Sequence, residues 1–290
     1  MKLFAITVAH NEDFFLEKWI NYYGREIGFE NLFIIDHGST DISVQKLRSI
    51  KSINFLTVPR YNYDEGQRVR AVSCLHESLL QYFDAGIVVD CDEFLVVDPK
   101  RFGNLRNFVS NVRDNGIMGA TGLGLNVTHM PDIEGPYVPH IPILAQRRHA
   151  IFNLAMCKTS LSMTKTKWSG GFHASSLRPQ FFDGFFLFHL KNFDRDWRLV
   201  RQATSRGWEW SGSYGGHARG PDSDVEQRYE RFVAQRIKRE TVDDFSFEKE
   251  IDRLNNIVNK TSANMFVFDR PKEPIDGNVR LIPAWAKCLF

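Results

Sequence analysis

The stretch Ala85-Gly86-Ile87-Val88-Val89-Asp90-Cys91-Asp92-Glu93 decides how the fold is read, because an apolar run of strand length ends abruptly in three carboxylates. Acids crowded at a strand tip repel one another unless a cation or a proton relieves them. Two upstream runs have the same form. Residues 3–8 lead into His10-Asn11-Glu12, and residues 32–35 lead into Asp36-His37-Gly38-Ser39-Thr40-Asp41. Open α/β sheets bind ligands beyond the carboxyl ends of their strands, so three strand ends are expected to converge on one crevice.

The chain around these runs alternates strand and helix. Residues 2–8 read as a strand, and Phe14, Phe15, Trp19, Ile20, Tyr22 and Tyr23 then recur at helical spacing before Gly28. Residues 41–49 read as a short helix with Asp41 as its N-cap, and 54–58 as a strand stopped by Pro59. A helix over 67–83, a fourth strand over 87–90, a helix over 101–113 and a strand over 117–122 complete the rhythm. It predicts an α/β fold: a Rossmann-like, mostly parallel sheet flanked by helices, with C-terminal helical additions.

The texture changes after Gly122. Residues 124–142 hold prolines, Gly, Asn and His without a steady period and read as a long loop or lid. Residues 147–163 return to strand-like texture. Trp168-Ser169-Gly170-Gly171-Phe172-His173 reads as an aromatic turn, with Trp168 a core residue or, beside two glycines, a face for stacking on a ligand ring. Residues 179–190 read as two short strands around Asp183-Gly184, a dipeptide that favours a hairpin turn. A helix over 194–206 with Asp194 as N-cap, a glycine-rich loop over 211–216, helices over 224–239 and 245–259 and a Pro-rich tail follow. The expected division is one domain over 1–220, with halves at 1–122 and 123–220, followed by a C-terminal helical extension and tail over 221–290.

Composition bounds the function. With 290 residues, 43% of them hydrophobic, the chain buries a large core and is near the upper limit for one domain. A formal charge of +2 is too small to imply nucleic-acid binding, and the basic segments 195–206 and 228–239 read as solvated helix faces. No stretch approaches the ~20 apolar residues that span a bilayer, and the N-terminus runs into a strand rather than a signal peptide. Cytoplasmic residence is the expectation, compatible with peripheral association at the inner face of a membrane. Cys74, Cys91, Cys157 and Cys288 share no metal-type spacing and read as free thiols.

The three strand-end motifs, Asn11-Glu12, Asp36-His37-Gly38-Ser39-Thr40-Asp41 and Asp90-Cys91-Asp92-Glu93-Phe94-Leu95, resemble GT-A glycosyltransferases of the family-two type. The match is nearest to the bacterial subgroup with an Asp-x-Asp-Glu-Phe-Leu signature. Lys158, His173 and His189-Leu190 resemble that group's later Lys, His and His-Tyr positions. The resemblance covers residues 1–122 best, thins to single matches between Lys158 and Gly207 and does not extend further; it implies that 1–220 is a catalytic domain with 1–122 as its nucleotide-sugar half and 123–220 as its acceptor half. It implies a nucleotide-sugar donor, usually a UDP-sugar, and a divalent metal, Mn²⁺ or Mg²⁺, that stabilises the leaving diphosphate as a Lewis acid. By the same resemblance Asp92 is the first metal ligand, with Asp90 reaching the ribose or a metal-bound water and His189 as a late metal-binding histidine. Asp36 meets the uracil, Asn11 and Glu12 line the nucleoside side, and Arg70 meets phosphate. The acceptor is expected to be a saccharide or a lipid-linked saccharide, in cell-surface polysaccharide or glycoconjugate synthesis, with inversion at the transferred carbon; the oligomeric state is not legible.

The catalytic base is the open point. An inverting transfer needs a group within hydrogen-bond reach of the acceptor hydroxyl, and Asp183, His173, Asp132 and Glu134 all stand as candidates. Two alternatives accompany the transferase reading. One is a sugar nucleotidyltransferase, although the loop His10-Asn11-Glu12-Asp13 is acidic and lacks the glycines of a phosphate-binding turn. The other is a non-catalytic sugar-binding protein of the same fold.

Overall fold

A computed structural model describes residues 1–50, 52–59, 63–207, 220–239, 241–242 and 244–290. In chain order the elements are β1 (Leu3–Ala9), α1 (Phe15–Ile27), β2 (Leu32–Asp36), α2 (Ile42–Leu47), β3 (Asn54–Thr57), α3 (Glu65–Leu79), β4 (Ala85–Val88), β5 (Glu93–Val97), α4 (Pro99–Phe102), α5 (Leu105–Asp114) and β6 (Gly119–Thr128). They continue with α6 (Ile143–Gln146), β7 (His149–Phe152), β8 (Leu161–Ser162), β9 (Phe181–Asn192), α7 (Arg195–Arg206), α8 (Asp222–Lys238), β10 (Thr241–Val242), α9 (Glu248–Asn256), β11 (Val258–Lys260), β12 (Phe266–Phe268) and β13 (Val279–Leu281). The glycine-rich loop over 211–216 lies outside the described residues.

The α/β architecture has a large central sheet flanked by helices. Its N-terminal half is parallel: β1 pairs with β2 on one side and β4 on the other, and β2 pairs with β3. The path therefore steps outward from β1 to β3 and then returns to the far side of β1, so the strand order reverses between β1 and β4. That reversal opens a crevice at their carboxyl ends. Helix α1 seals the sheet because Phe15, Leu16, Trp19, Ile20, Tyr23 and Ile27 fall on one buried stripe. Asp41 caps α2 by accepting from the Ser43 backbone N–H, and Asp194 caps α7 by accepting from Trp197.

The second half is built on two long strands. β9 runs antiparallel to β5 and parallel to β6, and β6 also pairs antiparallel with β7 and β8. Both ladders pass through His189, which stands opposite Glu93 on β5 and opposite Asn126 on β6. A slip of one residue would send each of these polar side chains to the other face.

Three expectations from sequence are corrected. Asp183-Gly184 is not a hairpin turn: β9 is continuous, and the β6 ladder steps from Thr121↔Phe181 to Leu123↔Phe186, so the dipeptide sits in a bulge. Gly184 adopts φ +91, and a Cβ there would meet Arg101 Cδ at 2.7 Å. Residues 124–142 are not an open lid either. The first five continue β6, and the rest is anchored by Glu134, which accepts from the Met130 and Arg148 backbone N–H groups. Fully buried Arg147 adds bonds to Gly135 O, Phe193 O and Asp194. The segment from 221 onward, finally, is not purely helical. Val279 and Ile282 are fully buried, and β13 joins the sheet by pairing with β7 and β10. Among the described residues no helix is long and apolar enough to cross a membrane.

Candidate functional site

The carboxyl ends of β1 and β4 bring the acids together as their spacing requires. The turn after β4 carries Asp90 and Asp92 half-exposed, while Glu93, the first residue of β5, is 1% exposed. The β9 ladder delivers His189 to the same place, and Leu190 N–H closes the turn on Asp92 O at 2.8 Å. His189 Nε2 lies 3.4 Å from Asp92 Oδ2, and its Nδ1 meets Asn126 Oδ1 at 2.8 Å. With an amide oxygen as partner, Nδ1 carries the ring proton. Nε2 then presents a lone pair toward a carboxylate oxygen, a contact that either a cation between the two or a second proton on the ring would satisfy.

Ligand atoms of Asp92, Glu93 and His189 all lie within 4.8 Å of one another. Two carboxylates and an imidazole suit a divalent ion of the Mn²⁺ type. Glu93 is the least available of the three, because it is committed to Lys158 Nζ. The open pair is Asp92 and His189.

Cations from distant segments balance the acids. Lys158 is only 3% exposed; beside its bond to Glu93, its Nζ stands 3.5 Å from Asp90 Oδ2. Burial works against the ammonium charge, and Glu93 and Asp90 outweigh it, so the pKa of Lys158 is raised. Arg68 Nη1 donates to Asp90 Oδ1 at 2.6 Å. Its other donors hold Glu65 Oε2 at 3.0 Å and Oε1 at 2.8 Å. Glu65 in turn accepts the Gly171 N–H at 2.6 Å. For Asp90, burial raises the pKa, but Arg68 and Lys158 overcome it and hold the carboxyl well below the usual range. Asp92 is likewise lowered, burial being outweighed by His189.

Arg68 takes the place expected of Arg70. The two are about 200° apart on α3, so only one can face Asp90, and Arg70 is exposed. Glu12 does enter the site. Burial pushes its carboxyl up to about 8, with Asp92 and Asp90 adding to the rise and Arg201 opposing it. Arg201 of α7 holds both the Glu12 side chain and Asn11 O. Asn11, at φ +51, uses its side-chain oxygen to accept the Thr40 N–H at 2.8 Å, which ties the loop after β1 to the loop after β2. Asp36 is buried, with Ser39 N–H on Oδ1 at 2.9 Å and Arg48 on Oδ2 at 3.3 Å. Its carboxylate therefore braces the loop that was expected to present it to a base.

The base candidates separate. His173 feels the charges of Lys158, Asp90 and His189 and so belongs to this cleft; burial and then Lys158 lower its pKa. Its Nδ1 lies 2.7 Å from Ala155 O, a carbonyl, so Nδ1 carries the proton and Nε2 keeps its lone pair. Gly171, at φ +64, leaves room for the ring, since a Cβ there would lie 2.6 Å from His173 Nε2. Asp183 is six residues before His189 on β9, about 20 Å away at ~3.3 Å per residue. It binds Ser246 Oγ and Phe247 N–H, each at 2.8 Å, and Arg101 at 2.6 Å. Asp132 pairs with Arg236, and Glu134 with His149. Trp168 is buried and donates to Thr159 O, which leaves no face for a sugar.

The sequence reading missed Arg68, Glu65 and the α7 arginines. Arg68 alone had a local signal, its place on the helix preceding the acidic turn. Glu65 enters through Arg68, one turn along the same helix, and Arg201 meets the site across nearly two hundred positions.

No protein-family model matches the chain, and no curated protein matches it. Among solved structures it is similar to "S. aureus TarS 1-349", with a TM-score of 0.38, 10% identity, and coverage of 80% of this chain and 73% of that one. It is also similar to "S. aureus TarS 1-349 in complex with UDP", with a TM-score of 0.32, 13% identity, and 56% and 47% coverage. A mannose-1-phosphate geranyltransferase from Thermus thermophilus gives 0.30, 11% identity, and 81% and 65% coverage. Likeness at these scores carries no argument about activity, and the architecture stands on the chain's own strand order and ladders.

Proposed function

We propose that this chain is a metal-dependent glycosyltransferase of the GT-A type, moving a sugar from a nucleotide-sugar donor to an acceptor hydroxyl. The observation that carries this reading is the meeting of Asp90, Asp92, Glu93 and His189 at the point where strand order reverses, with Lys158 and Arg68 behind them. Asp92 and His189 would hold the divalent ion. When bound, such an ion acts as a Lewis acid that stabilises charge building on the leaving diphosphate.

The chain's own residues do the rest. Arg68 and Lys158 hold Asp90 as an ionised carboxylate, and Lys158 fixes the position of Glu93, so little reorganisation is needed as charge moves. His173 Nε2 takes the proton from the acceptor hydroxyl, the freed oxygen bonds to the donor's anomeric carbon, and the bond from that carbon to the diphosphate oxygen breaks. Attack from the face opposite the leaving group gives inversion. Asn11, Glu12 and the Asp36 loop form the nucleoside wall. The identity of the base as uracil, and a setting in cell-surface polysaccharide or glycoconjugate synthesis, rest on the resemblance of the three strand-end motifs.

Calorimetry with UDP, with and without Mn²⁺, tests the reading. Binding that appears only with metal is expected. No binding in either condition would favour a non-catalytic protein of this fold. The nucleotidyltransferase alternative is disfavoured by the loop after β1, where Glu12 is placed toward Asp90 and Asp92 and no glycine turn cradles a phosphate.

A further inference from the structure

The basic segments 195–206 and 228–239, which read in sequence as solvated faces, do not all face solvent. Arg198 is 3% exposed, and its Nε is buried with no hydrogen-bond partner. A buried guanidinium donor without a partner costs free energy and is seldom left so without a ligand to meet it.

Three elements converge around it. On α7, Arg198 and Arg201 are three residues apart and share a face, and Arg201 hooks that face onto Asn11 and Glu12 at the end of β1. On β9, half-buried Lys191 lies two residues after His189, where the β6 ladder shifts register, and it feels the charges of Arg198, Asp92 and Arg228. On α8, half-buried Arg228 precedes Tyr229, whose hydroxyl donates to Asn192 O at 3.1 Å and pins α8 against the end of β9. Among the described residues Lys191, Arg198 and Arg228 have no ion-pair partner. Burial, and then Arg228, push Arg198 down to about 10, with Tyr229 and then Asp92 opposing the fall.

We propose that Lys191, Arg198 and Arg228 form a phosphate-binding site beside the carboxylate cluster, built by α7, β9 and α8. Cations packed close enough to repel one another gain most from a multiply charged anion, and a guanidinium edge matches phosphoryl oxygens. The phosphate is either the diphosphate of the donor or a phosphate carried by the acceptor. Only that identification rests on the transferase reading; the anion site itself does not.

The test uses the full chain and inorganic pyrophosphate in EDTA, read by calorimetry and by thermal midpoint. Saturable binding is expected, with a raised midpoint and affinity that falls between 50 and 200 mM salt. Arg228→Gln and Arg198→Gln should each weaken it ten-fold or more. Arg198→Gln should itself melt no lower than the parent, since it removes an unpaired buried charge. If that variant does not fold, half-buried Arg228→Gln carries the comparison. Asp92→Asn should keep pyrophosphate binding while losing Mn²⁺-dependent UDP binding, so the two readings fail separately. With Mn²⁺ in excess over both ligands, competition between UDP and pyrophosphate assigns the site to the donor; simultaneous binding assigns it to an acceptor-borne phosphate. Absence of pyrophosphate binding, or equal binding by both arginine variants, would overturn the proposal.

Discussion

His189 Nε2 stands 3.4 Å from Asp92 Oδ2 while its Nδ1 is committed to Asn126 Oδ1 at 2.8 Å. The backbone sets this: His189 stands in the β9 ladders with β5 and β6, and Asp92, in the turn before β5, accepts the Leu190 N–H through its carbonyl at 2.8 Å. The pair is thus set by the fold, and the proposed cation would find it already formed. Asp92→Asn is expected to reduce Mn²⁺-dependent UDP affinity at least ten-fold, with a thermal midpoint within a few degrees of the parent. Calorimetry that still shows metal-dependent binding would remove Asp92 as a ligand.

The bond between Lys158 and Glu93 is buried on both sides. Removing the cation alone leaves a carboxylate uncompensated in the interior, at a cost of about 3–5 kcal/mol. Lys158→Ala should lose that much in urea unfolding, and adding Glu93→Gln should return part of it. A double variant that is simply the sum of the two singles would show that the pair is not energetically joined.

His173 and Asp183 should respond in opposite ways. His173→Ala is expected to lower turnover by about 10²–10⁴, the range of a lost general base, with UDP affinity and midpoint nearly unchanged. Asp183→Ala strips the partners of Ser246, Phe247 and Arg101 and should cost about 1–3 kcal/mol of stability, while folded protein turns over normally. The reverse pattern, a stable but inactive Asp183→Ala, would move the base to β9's bulge.

Stability should also report on His76, which is fully buried between Phe4 and Trp168. Burial pushes its pKa down to about 4, from a reference near 6.5. Below ~6.5 the unfolded chain binds a proton that the folded chain refuses until about pH 4. Stability from this group is therefore full above ~6.5 and falls as the pH drops toward 4, by about 3 kcal/mol in all. His76→Phe should flatten the unfolding free energy across that window. An unchanged slope would place the titration elsewhere.

Much of the site was legible because its signals are local. Apolar runs ending in Glu12, Asp36 and Asp90 through Glu93 mark strand tips, and Asp41 and Asp194 sit where their helices need caps. Lys158, His173 and His189, marked by resemblance, do reach the same cleft. Arg70 was misplaced by two residues because α3 begins at Glu65 and the helical phase, not sequence proximity, chooses Arg68. Asp183-Gly184 has turn composition, yet β5 and β6 pair with β9 on either side of it and absorb the extra residues as a bulge. Asp36 gave no sign that Arg48 and Ser39 would occupy its carboxylate.

The linear order of residues determined the parallel N-terminal half and the clustering of acid at its carboxyl edge, since strand periodicity and punctuation are properties of short segments. Tertiary structure alone decided which charge meets which: Lys158 with Glu93 across 65 positions, Arg201 with Glu12 across 189, and Arg198 buried without a partner. Coulombic pairing depends on distance in space and on how far water is excluded, and neither is written in the spacing of neighbours along the chain.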